Sequence, residues 1–155
     1  MKKFKFLLCF LCLFLLVGCN NKSKESKEVV SVNGFENASN NNGFNVTDST
    51  SGYSDVDYIL ESRAASLDDA VVEMVVYTDV DNAIKVQDDQ IEKFKKIKNT
   101  ATPLNKEEGE NYYKFWMVSN GYYMVSSRVD NTLIFCKTLL KNKEKVEAIL
   151  NDLGY

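Results

Sequence analysis

The side chains with the widest chemical repertoire in this 155-residue sequence are four cysteines, Cys9, Cys12, Cys19 and Cys136. No histidine accompanies them anywhere in the chain. The Ser-His-Asp and Cys-His catalytic arrangements are therefore excluded, as are histidine-ligated zinc and haem centres. The chemistry available to this chain is that of thiols, carboxylates, hydroxyls, amines and aromatic rings.

The carboxylates form no complete metal-binding or catalytic pattern. The run Asp79-Val80-Asp81-Asn82 begins like a calcium-binding loop, yet an EF-hand requires glycine at its sixth position and glutamate at its twelfth. Counting from Asp79, these positions hold Ile84 and Gln90. The same acids are well placed to cap a helix instead. Because the sequence also lacks a Gly-x-Ser-x-Gly elbow and a glycine-rich phosphate loop, we expect no metal, no cofactor and no catalytic residue.

Cys19 follows a segment with the character of an export signal. Three lysines within the first five residues precede an apolar run over 6–17, which is typical of a secretory signal peptide. About 12 apolar residues are too few for a spanning helix, which needs about 20. The run ends in Leu16-Val17-Gly18-Cys19, which resembles the lipobox of bacterial lipoproteins. The resemblance implies that Cys19 carries a diacylglyceryl group and begins the mature chain; the alternative is an ordinary signal peptide with an incidental cysteine.

Cys136 is the one cysteine of the predicted domain, and it is expected to be its only free thiol. Cleavage before Cys19 would remove Cys9 and Cys12, and acylation would occupy Cys19, so that no internal disulfide could form. The neighbours of Cys136 in the segment 132–138 are mostly apolar. We expect a small core residue rather than a reactive nucleophile.

The composition divides the chain into three regions. Residues 1–18 are predicted to be a lipoprotein signal peptide. Residues 19–52 comprise the lipidated cysteine and a polar stretch rich in Asn, Ser, Gly and Lys, which is predicted to be a disordered tether because it buries too little apolar surface to offset the entropy of ordering. Residues 53–155 are predicted to form a single domain. The predicted tether also contains two aromatic residues, Phe35 and Phe44. They either dock on a partner or have no particular role.

The periodicity of residues 53–155 predicts an α+β domain. A capping-box pattern at Ser54 and helical spacing after it predict a helix near 55–65, and the β-branched run over 71–78 predicts a strand. An amphipathic helix is expected to contain Ile84, Ile91, Phe94 and Ile97.

The second half of the domain carries the clearest local signals. Strands over 112–119 and 122–128 flank Asn120-Gly121, the preferred pair for a type I′ hairpin, and Asp130-Asn131 leads into a strand over 132–138. A closing helix then ends at Gly154. The order α-β-α-β-β-β-α predicts a small two-layer domain, in which a three-stranded antiparallel meander and one further strand pack on two or three helices.

Aromatic residues concentrate on this hairpin. Alternation sends Tyr112 and Trp116 to one face of the strand and Tyr113 and Phe115 to the other. If one face packs on the helices, the other can present a platform for a sugar or a protein; the alternative is that the aromatic pairs only stabilise the sheet. The candidate binding residues are Tyr112, Trp116, Tyr122 and Tyr123.

Part of the domain resembles a known but uncharacterised group. The residues Val72 to Tyr77, the charged helix that follows them, and Gly121 to Ser127 are similar to a domain found on small lipoproteins of low-GC Gram-positive bacteria. The similarity extends over about 66–129. It implies neither an activity nor functional residues.

These observations lead to an expected role without naming a ligand. A formal net charge of −3 argues against a nucleic-acid partner, since such proteins concentrate basic residues. We expect a lipoprotein anchored to the cell membrane through Cys19, exposed on the extracytoplasmic face, with a non-catalytic module that binds an envelope protein or glycan. The alternative is a cell-wall-acting enzyme or an inhibitor of a protease or hydrolase.

Overall fold

Seven strands and three α-helices form within residues 25–155, which are the residues that the computed structural model describes. The strands are β1 (Asn45–Asp48), β2 (Ile59–Leu67), β3 (Ala70–Tyr77), β4 (Asn105–Glu108), β5 (Tyr112–Ser119), β6 (Tyr122–Val129) and β7 (Thr132–Leu139). The helices are α1 (Val32–Asn41), α2 (Val80–Lys95) and α3 (Lys143–Asp152), and short 3-10 turns occupy Thr50–Tyr53 and Leu140–Asn142.

All seven strands belong to one antiparallel sheet with the order β1-β2-β3-β7-β6-β5-β4. The chain builds it as two meanders, β1-β2-β3 and β4-β5-β6-β7, separated in sequence by α2. Pairing of β3 with β7 joins them, with Val72 opposite Cys136 and Val76 opposite Thr132. The α+β class is thus confirmed, with a sheet larger than the predicted three-stranded meander plus one strand.

Helices cover both faces of the sheet, so the domain has three layers rather than the predicted two. Helices α1 and α3 lie on one face, over a core that includes Met74, Val125 and Ile134. Helix α2 lies on the other face, where Ile91 and Phe94 pack against β5 and β6. Alternation along each strand therefore buries side chains in both directions, which explains why β6 is buried almost throughout.

The three strands of the predicted meander are present as β5, β6 and β7, the last three strands of the second meander. Strands β5, β6 and β7 match the predicted segments to within a residue, and Asn120 and Gly121 have φ angles of 52° and 80°. Positive φ at both turn positions defines a type I′ turn, whose twist matches that of the flanking strands. Gly154, at φ 72°, ends α3 as expected.

Most of the predicted tether is folded, which is a correction to the sequence interpretation. Helix α1 and strand β1 lie within it, and Phe35 and Phe44 are core residues that are 0% and 2% exposed. Arg63 of β2 fixes both elements, because its guanidinium contacts Glu36 of α1 at 2.7 Å and Asp48 of β1 at 3.2 Å. Two well-placed phenylalanines and one arginine thus order a segment whose average composition is that of a disordered chain.

The predicted helix near 55–65 is also wrong. Strand β2 begins at Ile59 instead and pairs with β1 on one side and β3 on the other. Its small residues Ala65 and Ser62 are fully buried. Because the sheet offers two ladders of backbone hydrogen bonds, tertiary pairing overrides the local helical spacing.

The amphipathic helix is present as α2, with one difference in its buried face. Asp79 caps it by accepting a hydrogen bond from the Asn82 backbone N–H at 2.8 Å, as the interpretation of these acids as capping residues predicted. Ile84 is 38% exposed, whereas Gln87 is buried and donates to the carbonyl oxygens of Tyr113 and Ser126. A buried amide thus docks α2 on the sheet.

The fold generates a direct test of the corrected N-terminal boundary. Phe35→Ala should lower the free energy of unfolding by about 3–5 kcal/mol, because it removes a fully buried ring from the core. Val29→Ala, at a side chain that is 44% exposed, should change it by less than about 0.5 kcal/mol. Denaturant unfolding of both variants measures the difference. Equal stability of the two variants would show that α1 does not belong to the cooperative unit.

Candidate functional site

The predicted aromatic platform on the β5–β6 hairpin is largely covered. Tyr112, Trp116 and Tyr123 share one face of the sheet, as alternation predicted, while Tyr122 lies on the other. Tyr112 is 6% exposed and Tyr123 is fully buried, so neither presents a ring to solvent. Trp116 and Tyr122 are half-buried. Cys19 lies outside the described residues.

Two charged side chains and the C-terminal end of the chain cover this face. The ammonium group of Lys27 lies 4.3 Å from the centroid of the Tyr112 ring and 3.2 Å from Glu107. Lys114 lies 5.8 Å from the Trp116 ring centroid and donates to the Tyr155 carbonyl oxygen at 2.8 Å. The platform prediction failed because residues 25–30, which were assigned to the tether, pack over the strand.

Asn111 holds the N-terminal segment in place. Its side-chain NH₂ donates to the Lys27 carbonyl at 2.8 Å, and its side-chain oxygen accepts from the Lys27 N–H at 2.9 Å. The Glu110 N–H donates to the Glu25 carbonyl at 2.8 Å. Gly109 is required beside them, because a Cβ there would overlap both the Tyr112 ring and the Glu25 carbonyl. We name the residues 25–27 together with 109–111 the N-terminal clamp.

A concave site rich in aromatic residues lies at the opposite half of the sheet. It is a pocket of about 220 Å³ between the 3-10 turn, the start of β2, the end of β3, β7 and α2. We call it the tyrosine pocket; its lining residues are Tyr53, Val56, Tyr58, Ile59, Tyr77, Val86, Gln90, Lys93 and Phe135. Four aromatic rings and three aliphatic side chains make its wall mainly apolar, while an amide and an ammonium supply polar contacts.

A carboxylate fixes the Tyr53 ring of the tyrosine pocket. Tyr53 donates its hydroxyl hydrogen to Glu73 Oε1 at 2.7 Å, and Ser62 donates to the same oxygen at 3.1 Å. Burial, and then the hydrogen bond to Glu73, raise the pKa of Tyr53 above its usual value. Burial also raises the pKa of Tyr77, with a smaller contribution from Tyr53 and Glu73. Both phenols are therefore neutral hydrogen-bond donors at physiological pH.

The outer ring of the pocket is open to solvent. Tyr58 is 37% exposed, and its ring is stacked on that of Tyr77, with centroids 6.3 Å apart and planes 18° apart. A partly exposed ring that is stacked on a second ring is suited to contact with a flat or ring-shaped group. Gln90 and Lys93 on α2 provide hydrogen-bond donors at the same opening. The arrangement is suited to holding a ligand by stacking and hydrogen bonding.

A second pocket, of about 260 Å³, lies between the end of α2 and strands β4 and β5. Leu104, Tyr113 and Phe115 form its apolar wall, and Lys95 and Lys106 border it. Both lysines contact nearby carboxylates, Lys95 reaching Glu92 at 2.7 Å and Lys106 reaching Glu108 at 3.3 Å. With two aromatic rings rather than four, it is the weaker candidate for ring stacking.

Other chemistry is limited in the part of the chain that the structure describes. Cys136 is 1% exposed, and burial raises its pKa to about 12, so the prediction of a core residue is confirmed. Residues 25–155 contain no group of three or more Cys, Asp or Glu placed to hold a metal ion. No helix in that range combines the length and apolarity needed to cross a bilayer.

Sequence reasoning did not single out the tyrosine pocket. Tyr53 ends the 3-10 turn and precedes the predicted helix near 55–65, whereas Tyr58 lies within that predicted helix. Tyr77 ends β3, and Phe135 lies in β7. The β2–β3 pairing, the β3–β7 pairing and the packing of α2 bring these residues together. The concentration of tyrosines over 53–58 was the one signal available in the sequence.

Comparisons with known proteins give one distant structural match. No family model matches this chain, and neither does any curated protein. A crystal structure of a GTP-binding regulator from Thermotoga maritima aligns with 83% of this chain and 91% of its own, at 19% identity and a TM-score of 0.48.

The Tyr53–Glu73 contact can be tested without a ligand. Tyr53→Phe should lower the free energy of unfolding by about 1–2 kcal/mol, because it removes a donor from a carboxylate that is only half shielded from solvent. Tyr58→Phe, which removes a hydroxyl from the more exposed ring of the same pocket, should cost less than about 0.5 kcal/mol. Paired denaturant melts provide the measurement. Similar losses in the free energy of unfolding for both variants would show that the Tyr53–Glu73 hydrogen bond does not stabilise the pocket.

Proposed function

We propose that this chain is a membrane-anchored extracytoplasmic lipoprotein whose folded domain is a non-catalytic module that binds a component of the cell envelope in the tyrosine pocket. The observation that carries the binding role is the exposed Tyr58 ring, supported from behind by Tyr77 and bordered by Gln90 and Lys93. This combination of a partly exposed aromatic ring and nearby hydrogen-bond donors is typical of binding sites.

The anchor rests on the lipobox pattern Leu16-Val17-Gly18-Cys19. A diacylglyceryl group on Cys19 would supply two acyl chains, and each buried CH₂ contributes about 0.8 kcal/mol. Two chains hold a protein on a bilayer stably, whereas a single chain gives only marginal, reversible binding. The membrane is therefore the first partner of this protein.

The chemistry of the tyrosine pocket favours a glycan as the second partner. The C–H face of a sugar ring stacks on an aromatic ring, and its hydroxyl groups accept hydrogen bonds from an amide such as Gln90 and an ammonium such as Lys93. A volume of about 220 Å³ suits one ring-sized group rather than a large ligand. An aromatic or proline side chain of an envelope protein uses the same ring face and is the competing outcome.

The composition of the pocket wall supports binding rather than catalysis. Its lining residues include no carboxylate, no thiol and no serine. Glu73, which contacts Tyr53 of this wall, already accepts hydrogen bonds from Tyr53 and Ser62. Glycoside hydrolysis requires two carboxyl groups that flank the scissile bond, and the tyrosine pocket offers no such pair.

Cys19→Ser tests the anchor. The substitution should abolish metabolic labelling with a fatty acid and release the chain from the membrane fraction, because serine does not provide the thiol that is acylated. Cys136→Ser is the matched control and should leave labelling unchanged, since Cys136 lies in the core. Labelling that persists in Cys19→Ser would refute the lipobox interpretation.

Tyr58→Ala tests the pocket. The substitution should raise the Kd for isolated cell-wall glycan by about two- to ten-fold, which corresponds to the loss of one stacked ring. Co-sedimentation of the purified chain with the glycan measures this Kd. Tyr58→Phe should retain binding, and Leu60→Ala, at a nearby side chain that is 53% exposed, should match the unchanged chain. Equal binding by all variants would remove the tyrosine pocket as the site, and release of soluble glycan fragments would favour an enzyme.

A further inference from the structure

The N-terminal clamp fixes the point at which the chain leaves the folded domain. Lys27 and Glu25 are each held by hydrogen bonds of 2.8–2.9 Å to the loop 109–111, which connects β4 to β5. The ion pair of Lys27 with Glu107 adds a contact to β4 itself. The folded domain therefore begins at one particular edge of the sheet, beside its last strand. We define the β4 edge as strand β4 together with the loop 109–111.

Few residues separate this point from the proposed lipid attachment. Only residues 20–24 lie between Cys19 and Glu25. A polypeptide spans at most about 3.3–3.6 Å per residue when fully extended, so this connection cannot exceed about 20 Å in any conformation. The predicted tether of about 33 residues would have allowed a far larger separation.

We propose that the β4 edge is the membrane-facing surface of the domain, held within about 20 Å of the lipid, and that the tyrosine pocket is displayed on the side away from the bilayer. This proposal rests on the proposed lipid anchor at Cys19. It adds an orientation that the anchor alone does not specify, because a longer tether would leave the domain free to turn.

The strand order sets the distance between the two ends of the molecule. From β4, the sheet continues through β5, β6, β7 and β3 to β2, which is five strand spacings away. Neighbouring strands lie about 4.8 Å apart, so β2 is about 24 Å from the β4 edge. Tyr58 and Ile59, at the start of β2, therefore lie among the residues farthest from the lipid, where an envelope component beyond the membrane can reach them.

The charge of the β4 edge indicates that the anchor, rather than an affinity for lipid headgroups, holds it near the bilayer. Lys27 and Lys106 pair with Glu107 and Glu108. Glu110 of this edge is exposed, as are Glu25 and Glu28 of the segment that begins the folded domain. Anionic lipids attract basic segments and repel acidic ones.

The orientation can be measured with a matched pair of labels on the full mature chain. Lys106→Cys places a thiol on β4, and Thr47→Cys places one on β1; both native side chains are exposed. Cys136 does not compete for the label, because it is buried. Each lipidated variant is labelled with a small fluorophore and reconstituted into vesicles that contain a headgroup-labelled quencher lipid. Quenching at position 106 should exceed that at position 47 by at least about two-fold.

A lengthened chain provides the control that isolates the role of the connection. Insertion of a 20-residue Gly-Ser segment after Asn21 should abolish the difference between the two positions, because the longer linker removes the restraint on orientation. Equal quenching at both positions in the chain of natural length, with fatty-acid labelling intact, would overturn the orientation alone. Absence of fatty-acid labelling would instead refute the anchor, and the two failures are thus distinguishable.

Discussion

The pairing of β3 with β7 is the interaction on which the rest of the domain depends. It joins two meanders that are local in sequence into one seven-stranded sheet, through the register from Val72–Cys136 to Val76–Thr132. Helix α2 connects the meanders and packs across the junction. Without this pairing, β3 and β7 would both be open edges, and the walls of the tyrosine pocket would belong to separate pieces of chain. Loop-closure entropy makes such a long-range contact costly, so it is expected to form late in folding.

The sequence predicts those parts of the fold that local interactions determine. The Asn120-Gly121 turn, the three strands around it and the Asp79 cap of α2 all follow from a few adjacent residues. Helix α1, strand β1 and strand β2 cannot be predicted in this way, because residues distant in the sequence stabilise them. Phe35 is buried against the sheet, and Arg63 joins Glu36 to Asp48. Composition averages over such residues and therefore conceals them.

The candidate site could be predicted from the sequence only in part, for a similar reason. Alternation correctly assigns Tyr112 and Trp116 to one face of β5, but it does not show whether anything covers that face. Here, residues 25–30 and the C-terminal Tyr155 do. The tyrosine pocket, in contrast, combines side chains from the 3-10 turn, three strands and α2. A site assembled from such separate segments becomes visible only when the strand order is known.

The two edges of the sheet also bear on how the domain behaves when many copies are close together. Strands β1 and β4 are only four residues long, with the sequences Asn-Val-Thr-Asp and Asn-Lys-Glu-Glu. Exposed backbone groups on an edge strand are a template for pairing with another sheet, and short, charged edges suppress such pairing. An anchor of the kind proposed above would bring copies of the domain close together on a surface. The polar edges of the domain would then keep neighbouring copies from fusing into a continuous sheet.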